Sequence, residues 1–369
     1  MQNKWQMFNV SLVLLMAAAF AGSSLFAQQN LTQPRQSPHA TVSQRIGLTD
    51  ITIDYNRPRV NNREIWGTLV PYGLAPGAGF NFNNQFPWRA GANENTTISF
   101  TDEVTVQGTK VPAGTYGVHI IPEESGEWTL ILSKDHQQWG SFFYDKANDQ
   151  ARVKVAPQDA AHQEWLMYGF DGITNNSTTA YLHWEKKKIP FTIEVDVTNT
   201  VLANMRAELT GLAGFNNAAW QRGANFCLQN NTNHEEALVW IDRAIQGNNS
   251  AANVATKAAL LSQSGKDNTM IKSELMTLAK NDATTEADVN AAGYVFLFSN
   301  HVDEALDLFK LNVERFPESW NPYDSLAEGY ERKGDTANAI KYYEMAYDKA
   351  PAGQHARIEA TLSRLKGDS

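Results

Sequence analysis

A single cysteine, Cys227, stands in a chain of 369 residues, so no disulfide can form within it. It sits beside Phe226 and Leu228 and reads as a buried, inert thiol. The eight histidines are scattered, with no His-Glu-x-x-His and no pair at ligand spacing, so neither a metal site nor a cofactor is expected. Asp145-Lys146-Ala147-Asn148-Asp149 matches only the start of a calcium loop and lacks the closing glycine and glutamate; it reads as a hairpin turn. There is no Gly-x-Ser-x-Gly elbow, no phosphate loop and no Cys-x-x-Cys. Positive charge is also short. Lys and Arg number 31 against 40 Asp and Glu, for a net charge of −9, and Lys186-Lys187-Lys188 reads as a solvated hairpin tip. Nucleic-acid affinity comes from neutralising phosphates, so this balance argues against such a partner.

What is present is a folded composition, 42% hydrophobic and 19% charged, in a chain long enough for two domains. Residues 1–27 have the form of an export signal. Lys4 precedes a mostly apolar stretch from Phe8 to Ala21, and small residues lead to a cleavage point near Ala27. The stretch is shorter than the roughly 20 residues of a spanning helix. A periplasmic or secreted protein follows from this reading; an uncleaved anchor is the alternative. No cysteine follows the signal to carry a lipid, and no later stretch has the length to span a bilayer. Residues 28–36 form a polar leader.

From residue 218 to 353 the chain repeats with a period of 34. In frames starting at Ala218, Ala252, Glu286 and Trp320, the eighth position is Asn225, Ala259, Gly293 and Ala327. The twentieth is Ala237, Ile271, Ala305 and Ala339, and the twenty-fourth Ile241, Leu275, Phe309 and Tyr343. Small residues at one helix contact with bulky ones four later resemble tetratricopeptide repeats: four helix pairs, closed by a capping helix over Gln354 to Lys366. The resemblance implies a concave face lined by Arg222, Phe226, Gln229, Asn290, Tyr294, Asn321, Asp324, Glu328 and Glu331. Its last copy is acidic, which suits a basic or polar peptide; a merely solvated groove is the plain reading. Residues 198–217 read as a bridging helix capped by Thr200, with Val201, Leu202, Met205 and Leu209 at helical spacing.

Residues 37–197 have another rhythm. Ile51 to Tyr55, Val104 to Val106, Tyr116 to Ile120, Trp128 to Leu132, Val153 to Val155, Tyr181 to Trp184 and Phe191 to Val195 alternate with period two. Turn formers separate them, which predicts an antiparallel β-sandwich ahead of the helical solenoid. Leu69 to Ala92 breaks the pattern with prolines, glycines and four aromatics, the mark of an ordered binding loop or a lid.

This part also resembles a family at the level of motif. Ser37-Pro38-His39, Asp54-Tyr55-Asn56-Arg57-Pro58, Ile65-Trp66-Gly67, Pro71-Tyr72-Gly73, Trp88-Arg89-Ala90-Gly91-Ala92-Asn93-Glu94, Pro112-Ala113-Gly114-Thr115-Tyr116 and Gln138-Trp139-Gly140 are similar to DUF2911. The resemblance implies an exported protein of the kind found in Bacteroidetes, and no established activity. Members commonly pass from Pro-Tyr-Gly to Trp-Arg through few residues; here Leu74 to Pro87 intervene.

Arg57, Arg59, Arg63, Trp88, Arg89, Asn93, Glu94 and His119 are the candidate ligand site. Arginine forks suit carboxylate, phosphate or sugar hydroxyls, and Trp88 offers a stacking face for a sugar ring or a plug for the sandwich. On the plain reading Arg89 and Glu94 pair with backbone or each other, and His119 faces outward from its strand. Two functions remain open. One is an exported, non-catalytic binding protein, its groove for a protein or peptide and its β-domain for a small polar ligand or sugar. The other is an envelope hydrolase acting on glycan or peptide with Glu94 and an arginine cluster. A structural envelope component is a third class.

Overall fold

The computed structural model describes residues 33–367, so the export-signal reading of residues 1–27 lies outside the described residues. The chain divides into two compact units, one ending at Val195 and the other beginning at Asp196.

Alternating side chains produce the first unit. β1 (His39–Ile46) and β2 (Thr49–Asn56) pair as an antiparallel hairpin whose turn uses Gly47 at φ 58°. Thr49, Ile51, Ile53 and Tyr55 all point into the core, and the residues between them are partly exposed. β3 (Thr96–Phe100), β6 (Gly114–Ile121), β7 (Trp128–Ser133) and β8 (Asp149–Val155) extend this sheet in the order β1-β2-β3-β6-β7-β8. A second antiparallel sheet has the order β5-β4-β10-β9, with β4 at Val104–Val106, β5 at Thr109–Val111, β9 at Gln158–Asp171 and β10 at Ser177–Val195.

Two local expectations are corrected. Lys186-Lys187-Lys188 is no hairpin tip. It lies inside β10, where register shifts around Glu185 (φ 54°) bend the strand without ending it. Lys187 reaches Asp159 at 2.7 Å, and Lys188 reaches Asp171 at 2.5 Å while lying over the Tyr181 ring. The second concerns β6, which is buried on both faces from Tyr116 onward. Residues 134–148 cover the face that alternation would expose, so His119 is 1% exposed and does not face outward.

The second unit holds ten helices among its described residues. α1 (Val197–Leu209) is capped by Asp196, which accepts from Asn199 N at 3.1 Å; the expected cap Thr200 instead donates to the Asp196 carbonyl. Four antiparallel pairs follow: α2 (Asn217–Gln229) with α3 (His234–Gly247), α4 (Ala251–Gln263) with α5 (Thr269–Lys280), α6 (Glu286–Phe298) with α7 (Val302–Arg315), and α8 (Asn321–Lys333) with α9 (Thr336–Lys349). Asn216, Ser250, Thr285 and Asp335 cap four of these helices through side-chain oxygens. Gly334, at φ 82°, ends α8. The seams are made as the repeat requires. A Cβ at Gly293 would overlap the buried Phe309 ring, and one at Gly223 would press on Trp240.

α10 (Ala352–Lys366) closes the array through Ile358 and three ion pairs, one of them Lys366 with Glu344 at 2.7 Å. Arg357 meets Asp324 at 2.8 Å and Arg364 meets Glu331 at 2.7 Å. Two of the acids expected at that end of the groove, Asp324 and Glu331, are thus already paired from within the chain. Replacing Arg357 by alanine is expected to cost about 0.5–1 kcal/mol, because the arginine is half-exposed although Asp324 is not. Urea titration of the full chain measures this, and no change would mean that the pair is screened away.

Candidate functional site

The first unit contains a cleft of about 700 Å³. Its floor and one wall are indole. Trp88 stacks on Trp184 at 5.9 Å and 14°, with Trp66 set edge-on to both. Trp184 is buried in β10, Trp165 projects from β9, and Arg59 lies over the Trp165 ring at 5.1 Å. Trp88 is therefore part of a wall, half-buried and tied by its backbone to Ile120, and not an exposed platform.

The turn after Trp88 is held in an unusual conformation. Ala90 has φ 50° and is fully buried, and its carbonyl accepts hydrogen bonds from Thr96 Oγ1 at 3.1 Å and Tyr168 Oη at 2.9 Å. Asn93 has φ 59° and donates to the Ser37 carbonyl. Such positions cost a non-glycine residue free energy and persist only when neighbours fix them. The consequence is a defined direction for Arg89. Its guanidinium donates to the Asn93 carbonyl at 2.7 Å, lies 4.6 Å from the centre of the Phe142 ring, and packs so closely on Gly140 that any Cβ there would overlap it. Burial pulls its pKa below the usual arginine value.

Arg59, Arg63, Trp88, Arg89 and Asn93 all line the cleft. Three other candidates lie elsewhere. Arg57 donates to the Leu166 carbonyl at 2.9 Å and serves the backbone. Glu94 does not pair with Arg89. Both its oxygens accept from Arg35 at 2.7 Å, and Asn56 adds a third bond at 3.2 Å. The Arg35 bond holds its carboxyl below the usual glutamate range.

His119 is enclosed on the other side of Arg89. Its Nδ1 is 2.6 Å from Ser141 Oγ, and Tyr144 meets its ring edge-on at 5.4 Å. Burial, with the charge of Arg89, pushes its pKa down to about 4. The hydroxyl of Tyr144 in turn donates to Asp149 and accepts from Arg152. Glu94 and His119 are thus separated, each committed to other partners.

The long loop is ordered by Asn81, whose buried amide donates to the carbonyls of Asn84 and Phe142, and by paired backbone bonds between Ala75 and Phe86. Phe80 and Phe82 remain exposed on it. Gln36, Asn61, Trp165 and Trp184 also line the cleft and were missed. They come from distant segments, and nothing in their local sequence marks them.

In the second unit, a hollow of about 270 Å³ opens on the first helices of the repeats. Gln229 and Tyr294 line it, as do Gln221, Asn225, Val295, Phe298 and Ser299. Arg222 is exposed and Phe226 packs against the helical core; both are one residue out of phase with Gln221 and Asn225, a turn of about 100° on a helix. Asn290 keeps a buried Oδ1 without a partner. Asn321 donates to Glu286 at 3.0 Å, and Glu328 accepts from the Tyr294 hydroxyl at 2.8 Å. Asp324 and Glu331 are held by α10. Cys227 is fully buried, and burial raises its pKa to about 11.

Among the described residues no group of three or more His, Cys, Asp and Glu is placed to hold a metal ion. No helix among them is long and apolar enough to cross a membrane.

Residues 37–193 match DUF2911, a family described as a protein of unknown function. The DUF2911 region therefore includes every residue of the cleft from Ser37 to Trp184. No curated protein matches the chain. Several solved structures are similar to the helical part. MamA from Desulfovibrio magneticus RS-1 is 16% identical, with 43% of this chain and 86% of that chain covered and a TM-score of 0.27. YrrB, titled a TPR protein with an unusual peptide-binding site, is 17% identical over 45% of this chain and 84% of that one, with a TM-score of 0.26. A human IFIT1 dimer with PPP-AAAA is 15% identical over 47% and 43%, with a TM-score of 0.28.

Proposed function

We propose that the chain is an exported recognition protein, its repeat groove holding a protein or peptide segment and its DUF2911 cleft a small polar ligand. The export rests on the character of residues 1–27. The observation that carries the recognition reading is the lining of the groove. Gln221, Gln229 and the amide nitrogen of Asn225, whose oxygen accepts from Thr256, offer amide groups beside Tyr294 and Phe298, whose rings stack at 5.3 Å and 27°. Amides of this kind pair with an extended peptide backbone, and Phe298, 57% exposed, is an apolar step for one side chain. The hydrolase reading is weaker. Its acid, Glu94, is clamped by Arg35 with its charged form favoured, the opposite of what a proton donor needs.

The test is a peptide selection on the full-length chain, followed by fluorescence anisotropy with the selected peptides. Phe298→Ala is expected to weaken them at least about 10-fold, since exposed aromatic anchors carry much of the energy of such interfaces. Asn225→Ala is expected to weaken them less. Failure to select any peptide, or equal binding by the Phe298 variant, would remove the groove from this account.

A further inference from the structure

We propose that the cleft in the DUF2911 region is a receptor for an oxyanion: Arg89, assisted by Arg63, grips the carboxylate or phosphate of a small ligand whose ring lies against Trp88 and Trp165. This rests on the reading of the cleft as a ligand site, and adds the charge and shape of what enters it.

The first observation is one of sign. The whole chain is acidic, with 40 acids against 31 bases. The cleft lining reverses this, with Arg59, Arg63 and Arg89 and no aspartate or glutamate. Low-dielectric walls concentrate such a field inside a cleft.

The second observation concerns which of these cations are already used. Arg59 is shared with Glu164 at 3.2 Å. Arg63 donates only to the backbone carbonyls of Val60 and Arg59. Arg89 donates only to the Asn93 carbonyl, and among the described residues no carboxylate lies within ion-pair distance of it. A partly buried guanidinium without a counter-charge carries a desolvation cost that the Asn93 carbonyl and the Phe142 ring offset only in part. It is nonetheless rigid, backed by Phe142 and Gly140 and aimed by the strained turn at Ala90. The Asn93 carbonyl and the Phe142 ring fix its direction but supply no counter-charge. A bound oxyanion supplies one, because a planar fork matches two oxygens at once and loses little freedom on binding.

The third observation is size. A cleft of about 700 Å³ falls in the range of small-molecule sites. Its indole faces suit an apolar or sugar ring bearing the acid.

The experiment uses the full-length chain and matched probes. Tryptophan fluorescence is followed on titration with glucuronate against glucose, benzoate against benzyl alcohol, and phenyl phosphate as the phosphate arm. At least one anion is expected to bind with a Kd of about 1 mM or tighter, its neutral partner being about 10-fold weaker or more. The carboxylate and phosphate arms separate the two sources of negative charge. Arg89→Gln is expected to lose about 10- to 100-fold of the anion affinity, Arg89→Lys to keep part of it, and added salt to weaken it.

Neutral probes that bind as tightly as the anions would overturn the charge claim and leave the cleft a ligand site. An Arg89→Gln chain that folds by circular dichroism and binds anions unchanged would also overturn it. So would no binding by any probe, which leaves the peptide groove untouched. If Arg89→Gln does not fold, Arg63→Gln at the exposed rim decides, with a loss of about 3-fold or more expected and no loss counting against.

Discussion

Replacing Trp184 by alanine is expected to lower the stability of the first unit by about 3–5 kcal/mol. The side chain is 1% exposed and touches Trp66 and Trp88, so truncation opens a void in the middle of an indole cluster. Neighbours held by β-sheet backbone are poorly able to collapse into it. Trp184→Phe is expected to cost much less. It keeps an aromatic ring and removes an indole N–H that is buried without a hydrogen-bond partner. The chain has two units, so global unfolding need not be two-state. Native-state hydrogen exchange at the amides of Ile53, Leu130 and Ile193 isolates the first unit. A loss below about 1 kcal/mol for the alanine variant would show that the cluster is looser than its ring distances imply.

Acid is expected to destabilise the same unit through His119. Its pKa is 6.5 when unfolded and about 4 when folded, because it is buried and faces Arg89. The folded chain keeps the ring neutral, and the unfolded chain takes up a proton first. Stability from this residue is therefore complete above pH 6.5, falls as the pH drops toward 4, and falls no further once the folded ring is also protonated. The loss amounts to about 3 kcal/mol. Glu94 and Asp50, whose carboxyls are lowered by Arg35 and Arg45, act in the same direction but only at lower pH. The contrast to measure is urea stability against pH for the native chain and for His119→Gln, which still reaches toward Ser141. Between pH 6.5 and 4 the native chain is expected to lose about 3 kcal/mol relative to the variant. Parallel curves would mean that His119 is not the group excluded from its proton.

The helical half was largely legible because its information is local and repeated. Each first helix starts within one residue of its frame, and Gly293 meets Phe309 as a small residue facing a bulky one should. The concave face was less legible. A one-residue slip of phase turned Arg222 and Phe226 away from the hollow, and the phase depends on how neighbouring pairs stack. In the first unit, alternation located the strands near Ile53, Leu130 and Ile193 but missed the length of β9 and β10. It also failed at His119, since period two marks only one buried face and says nothing of a segment laid over the other. The Arg35 partner of Glu94 lies 59 residues away, beyond the reach of any local pattern.

The hidden thiol of Cys227 has a practical consequence. With one cysteine in the sequence and that one sealed among helices, the native protein offers no attachment point to a maleimide dye. A cysteine introduced at Gln36, on the exposed rim of the cleft, would become the sole reactive handle. A fluorophore placed there would register occupancy directly, without first stripping the chain of competing sulfur.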